Sequence, residues 1–335
     1  MTDLNTAASV ANTVAATPVA ETQTVAQVFG LNPSDLRDRP HKVRSDIAEW
    51  ARPYIPAVKS HFFDKETYND LTEYHRSGFK DGGLFITGPK GSGKSKSVEQ
   101  YYARLGTPIF AVNCHGSLEL FELIGSMAIK GGDTEFQYGP LTLAVMCGGV
   151  LMVDEIDAAP PELLIALHGV LEMGDRLILP ENGGQVIPVH PAFRIVVTGN
   201  TNGSGDFSGE YAGTNMQNSA TLDRFNFLEW NYLSLENEKK IVLAEVPNMD
   251  LNVLDGMLKI AAESRLGEIE AISTRSLIRW VRKSVAFKGQ PIKKSFDRSI
   301  GFRLDPAKRN EVYSLVVVHL GSIAFFGKEA VENNA

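Results

Sequence analysis

Apolar runs and helical stretches take turns along the middle of the chain. The runs are LFIT (84–87), PIFAVN (108–113), VLMVD (150–154), FRIVVT (193–198) and NFLEWNY (226–232). Strands alternating with helices predict an α/β fold, a parallel sheet covered by helices on both faces. Past Ser234 the strand pattern stops. Residues 235–285 show helical periodicity instead, with Leu254, Met257, Leu258 and Ala261 on one face. The expected organisation is therefore an α/β core over 82–234 and a small α-helical domain over 235–335. Residues 25–81 read as helices and loops broken by Pro33, Pro40, Pro53 and Pro56. Residues 1–24, rich in Ala, Thr and Val, read as a disordered tail without the basic start and solid apolar core of a signal peptide. The most apolar late run, Leu315 to Phe326, is too short to span a bilayer and predicts a buried helix.

Two further stretches read as hairpins. GSMAIKGGDTEFQYGP (125–140) has its turn at Gly131, Gly132 and Asp133, and interrupts the helix expected between the second and third strands. RLILPENGGQVIPVH (176–190) contains Asn182–Gly183, which suits a type I′ turn.

Composition adds limits. The chain has 335 residues, 43% hydrophobic and 22% charged, which is globular and leaves room for two domains. A net charge of −7 argues against a dedicated duplex-DNA binder. Cys114 and Cys147 form no metal-type pair and suit a reducing, cytoplasmic setting. Charge is uneven: residues 275–309 carry 11 Lys or Arg against Asp297 and Asp305. That segment reads as a solvated face or a contact with an acidic neighbouring subunit, or else as a surface for nucleic acid or phosphate.

The chemistry begins at GPKGSGKS, residues Gly88, Pro89, Lys90, Gly91, Ser92, Gly93, Lys94 and Ser95. It matches G-x-x-x-x-G-K-[ST] between a strand and a helix. Glycines let the backbone turn its N–H groups toward phosphate oxygens, and the helix N-terminus adds partial positive charge. Lys94 is expected on the β- and γ-phosphates of ATP, and Ser95 on Mg²⁺. The strand VLMVD then delivers Asp154 and Glu155 to the carboxyl edge of the sheet, where open α/β sheets bind ligands. Asp154 is placed to hold Mg²⁺ and Glu155 to polarise the attacking water. Asp157 reads as a structural helix cap. FRIVVT runs into Asn200, an amide that can hold that water or serve as an ordinary turn residue. The Gly- and Asn-rich stretch that follows ends at LDRF (222–225).

In this order, these motifs resemble those of AAA+ ATPases. VFGL (28–31), HPAFR (190–194), GDFSGEYAG (205–213) and ISTRSLIRW (272–280) extend the resemblance to the MoxR-type group, and most to the CobS-like family of aerobic cobaltochelatase ATPase subunits. The resemblance runs from about Val25 to the C-terminus. It implies a five-stranded parallel core with hairpin insertions, a helical lid, and a homo-oligomeric ring of six members. It makes Asn200 the sensor-1 residue and Arg275 the sensor-2 residue, and makes Arg224 a finger reaching the neighbouring subunit's ATP. The polar loop 201–216 would then lie along the subunit boundary.

The resemblance implies an ATP hydrolase that remodels or assembles a protein client, often one with a von Willebrand A-type domain. In the cobaltochelatase branch, hydrolysis drives metal insertion into a corrin-type ring held by other subunits. His115, His168 and His190 are scattered and suggest no metal site of that kind. A nucleic-acid translocase is the alternative. Against it, the second hairpin tip offers Glu181 and no cation, and Lys130 stands beside Asp133 and Glu135. A nucleotide switch without turnover is a third reading, opposed by the intact set Lys94, Asp154, Glu155, Asn200 and Arg224.

Overall fold

The computed structural model describes residues 23–327, apart from 37, 79–81, 162, 164–166, 168–170, 172–174, 204, 206–213 and 267–270. Most of the predicted disordered tail and of GDFSGEYAG lies outside the described residues, as does His168. The chain divides into two compact units. One comprises residues 1–88 and 94–230, the other Pro89–Gly93 with Asn231–Ala335.

The first unit is built on five parallel strands: β1 (Gly83–Thr87), β2 (Ile109–Asn113), β5 (Val150–Asp154), β8 (Arg194–Gly199) and β9 (Phe225–Glu229). Their order across the sheet is β2-β5-β8-β1-β9. The expected parallel sheet is thus present. Its central strands are nearly continuous apolar runs because both faces are covered.

Alternation along each strand sorts side chains between two cores. Phe85, Leu151, Val153, Ile195 and Val197 enter one cluster. Leu84, Ile86, Val150, Met152 and Val196 enter the other, with α1 (Val25–Phe29), α2 (Lys65–Ser77) and α3 (Lys94–Arg104). The segment before the sheet is also tied to α3 by polar contacts. Lys59 N donates to Gln100 Oε1 at 2.7 Å, and the Arg104 guanidinium donates to Val28 O at 3.0 Å and Lys59 O at 3.1 Å.

The first hairpin pairs β3 (Gly125–Lys130) with β4 (Asp133–Tyr138), between α4 (Leu120–Ile124) and α5 (Pro140–Cys147). Its turn is Gly131–Gly132, both with positive φ. The second pairs β6 (Arg176–Leu179) with β7 (Gln185–Pro188). Here the two-residue Asn182–Gly183 turn expected from sequence is corrected. Leu179 lies opposite Gln185, so five residues close the loop. Pro180 starts a 3-10 turn through Asn182, and Gly183 and Gly184 supply the left-handed positions that reverse the chain.

The second unit is helical: α7 (Leu235–Glu245), α8 (Leu251–Ser264), α9 (Thr274–Ala286), α10 (Ile292–Ser299), α11 (Pro306–Leu320) and α12 (Ser322–Phe326), counting Ser219–Leu222 of the first unit as α6. Leu254, Met257, Leu258 and Ala261 face its core, together with Trp280 and Phe296. The single buried helix expected over Leu315–Phe326 is instead two helices broken at Gly321, whose φ is 75°. Val316 and Phe325 are buried, whereas Val318 and Ile323 are exposed. Among the described residues, no helix is long and apolar enough to cross a membrane.

Candidate functional site

The carboxyl edge of the sheet gathers Gly88, Lys94, Ser95, Asp154, Glu155 and Asn200, whereas Arg224 precedes β9 at the opposite, amino edge. Gly88 follows β1 with φ 148°, and a Cβ there would lie 1.9 Å from the Trp230 carbonyl oxygen, so only glycine fits. Lys94 opens α3 and is buried. Its ammonium donates to Gly88 O at 2.6 Å and to Asn200 Oδ1 at 3.3 Å. Ser95 Oγ donates to Asp154 Oδ1 at 2.6 Å. Lys94, Ser95, Asp154 and Asn200, contributed by three separate stretches of sequence, therefore meet at one edge.

Glu155 is exposed just beyond β5 and is the one non-glycine residue with positive φ (56°) among those described. A left-handed conformation is costly for a side chain with a Cβ, so surrounding contacts must hold it. One is a hydrogen bond from Glu155 N to Thr198 Oγ1 at 3.4 Å. Thr198 in turn donates to Asp154 Oδ1.

Asp157, expected only to cap a helix, has a larger role. It is buried, and its carboxylate accepts the Asn200 N–H, the Thr201 N–H at 3.3 Å and the Thr201 hydroxyl at 2.5 Å. Its carbonyl accepts Asn215 N at 2.7 Å. The same short segment also receives Gln217 Nε2 on Ile156 O and Ala159 O, each at 3.3 Å. Residues 155–159 thus join the acidic pair, the Asn200 turn and the approach to Arg224. Sequence reasoning missed Thr198, Asn215 and Gln217. The available signal was a polar residue closing an otherwise apolar strand, and amides spaced before LDRF.

Arg224 is half-buried, and its guanidinium donates to Ala220 O within its own helix end. Its carbonyl accepts Gly83 N at 3.1 Å, which fixes this corner beside β1. Cys114 adjoins the acids, donating its N–H to Asp154 O at 2.8 Å. Burial, then the charges of Asp154, Glu155 and Asp157, push its thiol up to about 12, so it stays neutral and is no nucleophile.

The remaining candidates belong to the second unit. Gly91, with φ 75°, lies against Ser273, whose Oγ would be 2.7 Å from an added Cβ. Tyr232 donates its hydroxyl to Lys90 O at 3.1 Å. Ser273 caps α9, and the exposed Arg275 follows in its first turn. The start of α9 is anchored by Thr274 Oγ1, which donates to Glu238 Oε1 at 2.6 Å. Glu238 is fully buried and takes both arms of Arg265, at 2.9 and 2.7 Å. Pro89, Ser92 and Gly93 complete the loop, with Ser92 Oγ donating to Pro89 O at 2.9 Å.

A phosphate-type loop between strand and helix, an acidic pair on the third strand of the chain's parallel sheet and an amide on the next define a nucleoside-triphosphatase fold of the AAA+ kind. Residues 83–225 match the family model described as AAA domain (dynein-related subfamily). The chain is 33% identical to the aerobic cobaltochelatase subunit CobS of a Sinorhizobium species, over 79% of this chain and 81% of that protein. It is 30% identical to protein NorQ of Paracoccus denitrificans, over 63% of this chain and 76% of that one. Protein CbbQ of Hydrogenophilus thermoluteolus is also 30% identical, over 58% and 71%. Among solved structures, NtrX of Brucella abortus shares the fold, with TM-score 0.50 and 17% identity over 80% of this chain and 64% of that one. The chain belongs to the MoxR-type AAA+ ATPases.

Proposed function

We propose that the protein binds and hydrolyses ATP within a homo-oligomeric, six-membered ring and uses the cycle to remodel or assemble a protein client. The observation that carries this reading is the shared edge of Lys94, Ser95, Asp154 and Asn200. Lys94 supplies the cation for the β- and γ-phosphates, and the loop N–H groups cradle them. Glu155 orients and polarises the attacking water, with Asn200 holding it from the other strand.

Ser95 and Asp154 present paired hard oxygen donors, a set that fits Mg²⁺. They would hold that ion, which neutralises charge developing on the phosphates. Arg224 acts on a neighbouring subunit's nucleotide and Arg275 reads the phosphate from the lid. A cation in the first turn of a helix opposes the helix dipole, which favours a role toward an anion over a role in helix stability.

The resemblance to the MoxR-type group implies a client with a von Willebrand A-type domain, and the likeness to an aerobic cobaltochelatase subunit supports metal insertion as one such task. A nucleic-acid client is disfavoured by the hairpin chemistry. Lys130 lies directly opposite Asp133, and the Pro180–Gly184 loop carries Glu181 without a cation. The test is phosphate release by the assembled protein, with Glu155→Gln abolishing it while retaining ATP and trapping the client. An assembled wild type that binds ATP and releases no phosphate would replace the motor by a switch.

A further inference from the structure

The second unit carries a cationic surface that its own acids neutralise only in part, at Arg282 and Lys293. Asp297 and Asp305 are the acidic residues between 275 and 309. Asp297 is buried and bound to Lys293 Nζ at 2.6 Å and to the Tyr313 hydroxyl. Asp305 caps α11, accepting Ala307 N and Lys308 N at 3.0 Å each. Both carboxylates are thus spent inside the unit.

The cations are arranged differently. On α9, Arg275, Arg279 and Arg282 recur at i, i+4 and i+7 and are exposed, with Lys283 beside them. Glu245 meets Arg282. Beyond the end of α9, Phe287 has Lys294 Nζ 5.0 Å and Arg298 Cζ 5.2 Å from its ring centroid. Lys294 and Arg298 are an i, i+4 pair of like charge, an arrangement that weakens a helix unless an anion faces it.

The first unit presents the opposite pattern at the same spacing. On α2, Glu66, Asp70 and Glu73 recur at i, i+4 and i+7, and Asp64 caps the helix two residues before Glu66. Glu66 and Glu73 are exposed and Asp70 is half-exposed. At 100° per residue, Lys65 and Arg76 fall to one side of this line. Partial burial, then repulsion from Glu66, Glu73 and Asp64, holds the Asp70 carboxyl above its ordinary range. These acids gain from a cationic neighbour, as the face of α9 gains from an anionic one.

We infer that the basic face of α9 and α10 docks on the acidic stripe of α2 in a second copy of this chain. The inference rests on the ring-forming reading above and names one of its contacts. The surfaces differ, so the contact is head-to-tail, and each copy uses both. Exposed ion pairs of this kind steer association and set register more than they add raw affinity. The contact is accordingly salt-sensitive, because attraction between exposed charges farther apart than the ~8 Å screening length at physiological salt is largely screened, and added salt shortens that length.

Charge reversal tests this without touching the nucleotide residues. Variant one is Arg279→Glu with Lys283→Glu; variant two is Glu66→Arg with Glu73→Arg. All four side chains are exposed, so both variants keep their cores, and circular dichroism with ATP binding checks this. By analytical ultracentrifugation with ATP, wild type should assemble, and more weakly at high salt. Each variant alone should assemble at least about tenfold more weakly, since like charges now face each other. Mixed in equal amounts they should reassemble, because the acidic α9 of one meets the basic α2 of the other. Variants that assemble like wild type would overturn this contact and leave the ring standing. A mixture that stays as dissociated as its components would also overturn it. A wild type that remains monomeric with ATP would remove the ring and the contact together.

Discussion

The ammonium of Lys94 lies 3.3 Å from Asn200 Oδ1, joining residues 106 positions apart. Two groups of the candidate chemistry are thereby put on one edge: the Lys94 cation and the neutral Asn200 amide. The link is made by parallel pairing of β1 with β8, which runs from Leu84↔Val196 to Thr87↔Gly199 and brings both strand ends level.

Lys94→Ala should weaken ATP binding by about 10-fold or more, because a charge-assisted contact worth roughly 1.5–3 kcal/mol is lost. Glu155→Gln should bind ATP as wild type does and lose turnover. Fluorescent-nucleotide titration and phosphate release separate the two. Equal affinity in Lys94→Ala and wild type would sink the assignment of the loop.

Asp157→Asn should lower kcat more than it raises KM. The amide would turn an N–H toward the Asn200 and Thr201 donors that the carboxylate now satisfies. The Asn200 turn would shift while the phosphate loop stays. A variant that only loses thermal stability, with kcat unchanged, would leave Asp157 a packing residue.

Arg224→Ala should retain ATP binding and lose most hydrolysis; a supplied Arg finger is worth roughly 10³–10⁵ in rate. Mixing it with Glu155→Gln should restore some turnover, because one interface then joins an intact Glu155 to an intact Arg224. Co-assembled mixtures as inactive as each variant alone would confine Arg224 to its contact with Ala220.

His61 and His75 predict an acid-sensitive first unit. Burial, helped by nearby cations, lowers each from 6.5 to about 4. Both are neutral when folded and gain a proton more readily when unfolded. Their contribution is present above pH 6.5 and is lost as pH falls toward 4, on the order of 3 kcal/mol each. Urea midpoints measured across that range should fall, and His61→Gln should flatten the slope. An unchanged slope would show that other groups dominate.

Glu238→Gln should destabilise the second unit more than a surface change would. It leaves the Arg265 guanidinium, 9% exposed, without its buried counter-charge. Breaking such a pair from one side costs about 3–5 kcal/mol, read as a lower thermal midpoint.

Much was legible in the chain alone because it depends on neighbours in sequence. Strand and helix alternation, the GPKGSGKS turn and the acids after VLMVD are local patterns, and apolar runs of this kind become strands wherever both faces are covered. Where neighbours compete, local reading fell short. Asn182–Gly183 alone suits a two-residue turn, yet Pro180 and Gly184 widen the loop to five. Gly321 breaks the late apolar run that hydropathy reads as one helix.

Sequence by itself determined which groups could act: a cation, hard oxygen donors, a strand-end amide and an Arg before the last strand. Tertiary structure alone decided which of them meet. Strand order sets β5 beside β8, so Thr198 reaches Asp154 and Asp157 reaches the Asn200 turn. No local pattern records such contacts, because they arise from hydrogen-bonded pairing between strands some 40 residues apart, and a buried carboxylate is stable only where that pairing brings it N–H donors.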